Sequence, residues 1–172
     1  MADQDQVVEI PLLLENVLRF SLNQARDRML AGEQIEPFTA LAVGDTLFFE
    51  VQEGETPQDY FNAARKTVSG AKGARTYGFT YDGFVDTATG RADALIAQGG
   101  MPGEPYGHAI GLIYRKDDEG KLKFHNEPIY VGPCQNYMLS MLMTEDAEDE
   151  QPAESASGEE SAAGEEENVA TE

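Results

Sequence analysis

The sequence predicts an α+β fold: a two-layer sandwich in which a mainly antiparallel sheet of up to six strands, in the order α-ββ-α-ββββ, carries two helices on one face. Three observations predict it. Two segments carry apolar residues at helical spacing, several others alternate apolar with polar residues between Gly- and Asp-containing turns, and every loop but the one holding the second helix is too short for a crossover helix.

Between Leu12 and Ala31, Leu14, Leu18, Leu22, Ala25 and Met29 recur every three or four residues, with Glu15, Arg19, Arg26 and Arg28 between them. That spacing makes an amphipathic helix, started by Pro11 in its first turn and closed by Gly32. The runs Phe38 to Val43 and Thr46 to Val51 flank Gly44-Asp45 and predict a β-hairpin. Thr56-Pro57-Gln58-Asp59 combines a hydroxyl cap, a proline at the first helical position and an acid at the positive end of the dipole. A second helix therefore starts there, with Tyr60, Phe61, Ala64 and Val68 as its apolar stripe and its end near Ser69-Gly70.

From Arg75 to Asp86 the aromatics Tyr77, Phe79 and Tyr81 share one face of a strand. The turn Thr87 to Gly90 leads into a return strand, Arg91 to Ala97, and the tightest register sets Val85 opposite Ala92 and Phe84 opposite Asp93. His108 to Arg115 and Lys121 to Val131 form a further pair across Asp117 to Gly120, with Lys116 expected opposite Lys121. Tyr137 to Met143 is apolar and Met-rich, and its periodicity fits a last strand or a short helix equally. Residues 1–144 read as one domain. Glu145 to Glu172, twelve acids among Ala, Ser and Gly with no aromatic, read as a disordered acidic tail.

Charge narrows the function classes. The chain of 172 residues has 32 acids and 12 bases, a net charge of −20; without the tail, 20 acids and 12 bases still leave −8. Nucleic acid and anionic membrane are disfavoured as partners, because binding them relies on basic groups. The body charge serves solubility, docking on a basic partner, or adaptation to high salt. No apolar stretch approaches the ~20 residues a bilayer requires. Residues 1–9 lack the basic start of a secretory signal, and the single Cys134 excludes an intramolecular disulfide, so a cytoplasmic location is expected.

Several residues invite a chemical reading. His108 and His125 lie on facing strands, but the expected register sets Leu112 opposite His125, which leaves His108 ~13 Å away at ~3.3 Å per residue. They do not share a metal. Asp82, Asp86 and Asp93 gather round one hairpin; paired carboxylates do acid/base work or hold Mg²⁺ or Ca²⁺, though Asp also favours turns. Asp93 interrupts an apolar strand and is expected on the solvent face; buried, it would be the strongest catalytic candidate. The run Gly99 to Gly107 has no Gly-Lys-Ser/Thr ending and enters no helix, so it is a connector, not a phosphate loop. Cys134 has no neighbouring cation or helix start to activate it and reads as structural.

Tyr77 to Tyr81 followed by Asp82-Gly83-Phe84, then Asp93-Ala94-Leu95-Ile96, resembles a pattern in short bacterial α+β proteins of unassigned function. The resemblance spans Ala74 to Tyr114 and implies no catalytic or binding residue.

These observations favour a non-enzymatic binding or regulatory protein acting through protein–protein contacts. Its expected interaction residues are Met138, Met141 and Met143, as adaptable apolar surface, with core as the plainer reading of the same strip. The partner is another protein or a second copy in a homodimer, paired through the edge of the Thr76 to Ala97 hairpin. No cofactor and no metal are expected. The alternative is a small enzyme or ligand-binding domain using Asp82, Asp93 and His108 on the sheet's open face; salt adaptation without a special partner ranks third.

Overall fold

The computed structural model describes residues 8–141. Helix α1 (Leu12–Leu30) is followed by strands β1 (Phe38–Val43) and β2 (Thr46–Val51), helix α2 (Pro57–Ser69), and strands β3 (Ala74–Thr87), β4 (Gly90–Gly100), β5 (Gly107–Lys116), β6 (Leu122–Phe124) and β7 (Ile129–Cys134). The seven strands make one antiparallel sheet, ordered β2-β1-β3-β4-β5-β6, with β7 also paired to β5. The described residues all fall within one compact unit, and the acidic tail expected from Glu145 lies outside them.

Turn chemistry sets the two long hairpins. Val43 pairs with Thr46 across Gly44, whose φ of 60° suits a tight turn. Thr87 pairs with Gly90, and the Thr87 hydroxyl closes the turn by donating to the Gly90 carbonyl at 2.7 Å. Val85 therefore faces Ala92 and Phe84 faces Asp93, as the alternation predicts. The strand expected over Lys121–Val131 is instead two. Asn126-Glu127-Pro128 interrupts it, since a proline cannot donate to a ladder, and the halves β6 and β7 pair with different stretches of β5. Lys116 lies opposite Leu122, one residue beyond the expected register, because the Asp117 carboxylate accepts from the Glu119 and Lys121 amides and closes a wider loop.

The helices do not share a face. Leu14, Leu18, Leu22 and Ala25 of α1 pack with Phe38, Leu95, Ala97, Ile110 and Leu112. Ala64 and Val68 of α2 pack with Tyr77 and Phe79, which alternate with the residues beneath α1. The sheet is thus covered on both sides, and the expected two-layer arrangement with both helices together is corrected to one helix on each face. The aromatic face of β3, with Tyr77 and Phe79, takes α2, while Ala94 and Ile96 of β4 are buried in a separate cluster with Val85 and Ala109.

Each face has its own construction. Under α1 the sheet is small-sided: a side chain at Gly78 would press on Leu18 and Val17, and one at Gly99 would strike the Tyr77 carbonyl. Under α2 it is aromatic, with Phe61 edge-on to Phe79 and Tyr81 at 5.4 and 5.2 Å between centroids. Thr56 and Asp59 cap α2 reciprocally: the Asp59 amide donates to the Thr56 hydroxyl and the Thr56 amide to the Asp59 carboxylate. Amide donation from Glu55 and Thr56 holds that carboxyl below its usual range.

The remainder of the aromatic face is closed by the chain's last described residues. Tyr137 to Met141 are neither strand nor helix but successive turns. Asn136, 4 % exposed, donates to the Met101 and Glu104 carbonyls and accepts from the Met138 amide at 2.8, 2.9 and 2.9 Å. The Tyr137 amide donates to the Tyr77 hydroxyl at 2.9 Å, and the two rings stack. Replacing Asn136 by Ala orphans these groups, and urea unfolding should show a loss of about 2 kcal/mol or more; an unchanged midpoint would refute this anchoring role.

Burial raises the pKa values of this region. Tyr77 and Tyr81 are pushed up by desolvation, Tyr81 to about 12, and Cys134 likewise to about 11. The unfolded chain loses these protons first, at about 8.5 for a thiol and about 10 for a phenol, so at alkaline pH the folded state binds more protons. Stability should be flat from pH ~7 to ~8 and fall from about pH 9 upward, read as the urea midpoint against pH; a midpoint flat to about pH 11 would contradict it.

Candidate functional site

The residues singled out as catalytic candidates do not converge. Asp82 is opposite Leu95, which is opposite Leu112, while His108 is opposite Gly99. Along β5 the levels of Asp82 and His108 thus differ by four residues, ~13 Å at ~3.3 Å each. Asp82 is exposed and accepts the Tyr114 hydroxyl at 2.7 Å. Burial and then that bond raise the Tyr114 pKa, with Asp93 adding to it. Asp93 itself is exposed. His108 lies in a separate cleft of ≈ 490 Å³ beside Glu9, Glu104 and Tyr106, and its Nδ1 is 2.9 Å from the Tyr130 hydroxyl. Desolvation lowers its pKa. Two acids and a tyrosine therefore meet at one end of the sheet, and the histidine stands at the other.

The described part of the methionine strip is mixed, with Leu139 53 % exposed. Met138 is wholly buried beside Tyr77 and Ala64, Met141 is half-buried against the same cluster, and Met143 lies outside the described residues. Cys134 is half-buried and its thiol is held protonated by desolvation. Among the described residues no group of three His, Cys, Asp or Glu side chains is placed to hold a metal ion, and no helix is long and apolar enough to cross a membrane.

The exposed apolar surface lies elsewhere, on the outer strand of the hairpin after α1. Among the described residues β2 has β1 as its only strand neighbour, in unbroken register from Phe38–Val51 to Val43–Thr46. Its other edge offers unpaired backbone donors and acceptors. Phe48 is 53 % exposed, Phe49 45 % and Val51 46 %, and Phe20 of α1 adds a ring 6.0 Å from Phe49. Pairing with β1 sets Leu47, Phe49 and Val51 on the α1 face, with Phe48 and Glu50 on the other. The strand has no proline and no basic residue, and Glu50 is its one charge.

The opposite edge is built differently. In β7, Pro133 removes a donor, Gly132 takes φ 151°, and the ladder with β5 shifts register between Ala109 and Ile110. These features discourage pairing even though Ile129, Tyr130 and Val131 are partly exposed. The Thr76 to Ala97 hairpin is an edge only in its outer half: β1 lines β3 from Ala74 to Thr80 and β5 lines β4 from Ala94 to Gly99, whereas Tyr81–Thr87 and Gly90–Asp93 have no strand on their outer side among the described residues. Beyond that stretch, the exposed Phe84 is covered by the Arg91 guanidinium, 3.8 Å from its ring.

The reading of residues 46–51 as a strand is correct, but strand order, which alone makes it an edge, is absent from its local pattern. The adjacent Phe48-Phe49 pair is the available signal, since neighbours in a strand face opposite ways and only one of them can enter a single core. Because Phe48 is half in solvent, Phe48→Lys should shift folding stability by no more than about 0.5 kcal/mol in urea unfolding; a larger loss would show that the ring supports the core. Comparison with family models, curated proteins and solved structures gave no match.

Proposed function

We propose that this chain is a non-enzymatic binding protein that engages other proteins through the free edge of β2. The observation that carries the reading is the unbulged, proline-free strand with half-exposed Phe48, Phe49 and Val51 beside Phe20. Monomeric proteins blunt such edges with charge, proline or bulges, as β7 does here. An open edge accepts a strand, with main-chain hydrogen bonds supplying affinity and alternate side chains supplying selectivity. The rival reading, an enzyme using Asp82, Asp93 and His108, has no such concentration of features, because those groups occupy different ends of the sheet. We place the action in the cytoplasm, a reading supported by the single cysteine, and exclude nucleic acid and anionic membrane as partners on charge.

The test is selection of short random peptides on the full-length chain, followed by fluorescence-polarisation titration of the enriched peptides. Peptides that bind the native chain should lose roughly tenfold or more in affinity for Phe48→Lys and Val51→Lys, variants that put a charge on the edge. Enriched peptides that bind these variants undiminished, or a selection with no enrichment, would overturn the reading.

A further inference from the structure

We infer that the strand accepted by β2 is a basic, extended segment of a partner protein in which apolar side chains alternate with Lys or Arg. The inference rests on the edge-binding reading and adds the chemistry of the occupant. From Ala31 to Ala64 the chain has seven acids, Glu33, Glu36, Asp45, Glu50, Glu53, Glu55 and Asp59, and no Lys or Arg. All seven are exposed. Among the described residues no ion pair reaches any of them, since the pairs formed are Arg19 with Glu15 and Glu127, Arg26 with Asp27, and Arg91 with Asp86. Of these, Asp45, Glu50 and Glu53 lie in β2 or next to its ends, so the edge is an apolar strand flanked by carboxylates that form no ion pair among the described residues, whereas Glu33 lines a cleft with Lys116, Lys121 and Lys123.

The two faces of β2 specify the alternation. A strand laid beside it sets every second side chain on the α1 face, next to Leu47, Phe49, Val51 and Phe20, where apolar groups are matched. The intervening side chains fall next to Phe48 and Glu50. There a cation is matched twice, by the Glu50 carboxylate and by the exposed Phe48 ring. Charge also decides against the other occupants. A second copy would bring a second set of the same carboxylates, Asp45, Glu50 and Glu53, to the pairing, and residues 145–172 carry twelve acids and no base. Both meet like charge.

The experiment uses the full-length chain and fluorescein-labelled octapeptides: one alternating Lys and Val, its Glu and Val counterpart, and one with the same Lys and Val content in two separate blocks. Fluorescence polarisation should show the alternating basic peptide binding roughly tenfold or more tighter than the other two. Its affinity should fall severalfold on raising salt from ~0.05 to ~0.2 M, severalfold in a Glu50→Gln, Glu53→Gln, Glu55→Gln chain, and roughly tenfold in Phe48→Lys. Equal binding of the block peptide would reduce the effect to general charge attraction, and undiminished binding to Phe48→Lys would move it off the edge; either overturns the inference. Library-selected peptides that depend on the edge but lack Lys and Arg would overturn it while leaving edge binding intact. So would a dimer, by light scattering, that Phe48→Lys dissociates, with a second copy then the occupant.

Discussion

The fold depends on how closely α1 approaches the centre of the sheet. At Gly78 and Gly99 there is no side chain, and Leu14, Val17 and Leu18 of the helix occupy the space that a Cβ would need. A strand alternates its faces, and β3 is small toward α1, with Thr76, Gly78 and Thr80, and large on the other side, with Tyr77, Phe79 and Tyr81. Those three rings then require their own cover. α2 supplies part of it through Phe61, Ala64 and Val68, and Tyr137 and Met138 supply the rest. The close contact on one face and the aromatic layer on the other are thus carried by alternate residues of one strand.

The two consecutive glycines at the end of β4 show the same logic within one dipeptide. Gly99 leaves room on the α1 face, whereas a side chain at Gly100 would collide with the Asn136 carboxamide on the opposite one. Asn136 in turn fastens the loop after β4 through the Met101 and Glu104 carbonyls and turns the chain so that Met138 enters the core. The glycine-rich stretch therefore has a packing purpose. Its resemblance to a phosphate-binding loop ends at composition, since it leads to β5 and not to a helix N-terminus.

What was legible in the residues was local. The α1 stripe, the Thr56 to Asp59 cap, the Gly44 turn and the Val85 to Ala92 register each follow from a spacing or a turn requirement satisfied within a few residues. What was not legible depended on strand order and layer count. The run Ala94 to Ala97, with Ile96 on one face and Leu95 on the other, carried the signal for cover on both faces, but an apolar run does not say which element supplies that cover. Asp82 and His108 looked like neighbours because strands were counted without their offsets along the sheet. Met138 had no periodicity to place it, and its burial follows from Asn136, a residue that no sequence motif marked.

The two sheet edges make the acidity of the body more specific than its net charge suggests. An undefended strand such as β2 invites its own copies, and the usual remedies, a proline, a bulge or an inward charge, would also spoil it as a receptor for a strand. A rim of like charge acts differently. It adds to the cost of pairing between two identical edges, because each copy brings the same carboxylates, and it leaves the hydrogen-bonding edge and the Phe49 face unaltered for a ligand of opposite sign. With seven acids and no base between Ala31 and Ala64, the charge is concentrated in the segment that contains the strand needing this protection. On this argument the same carboxylates keep β2 from its own copies and select what it accepts.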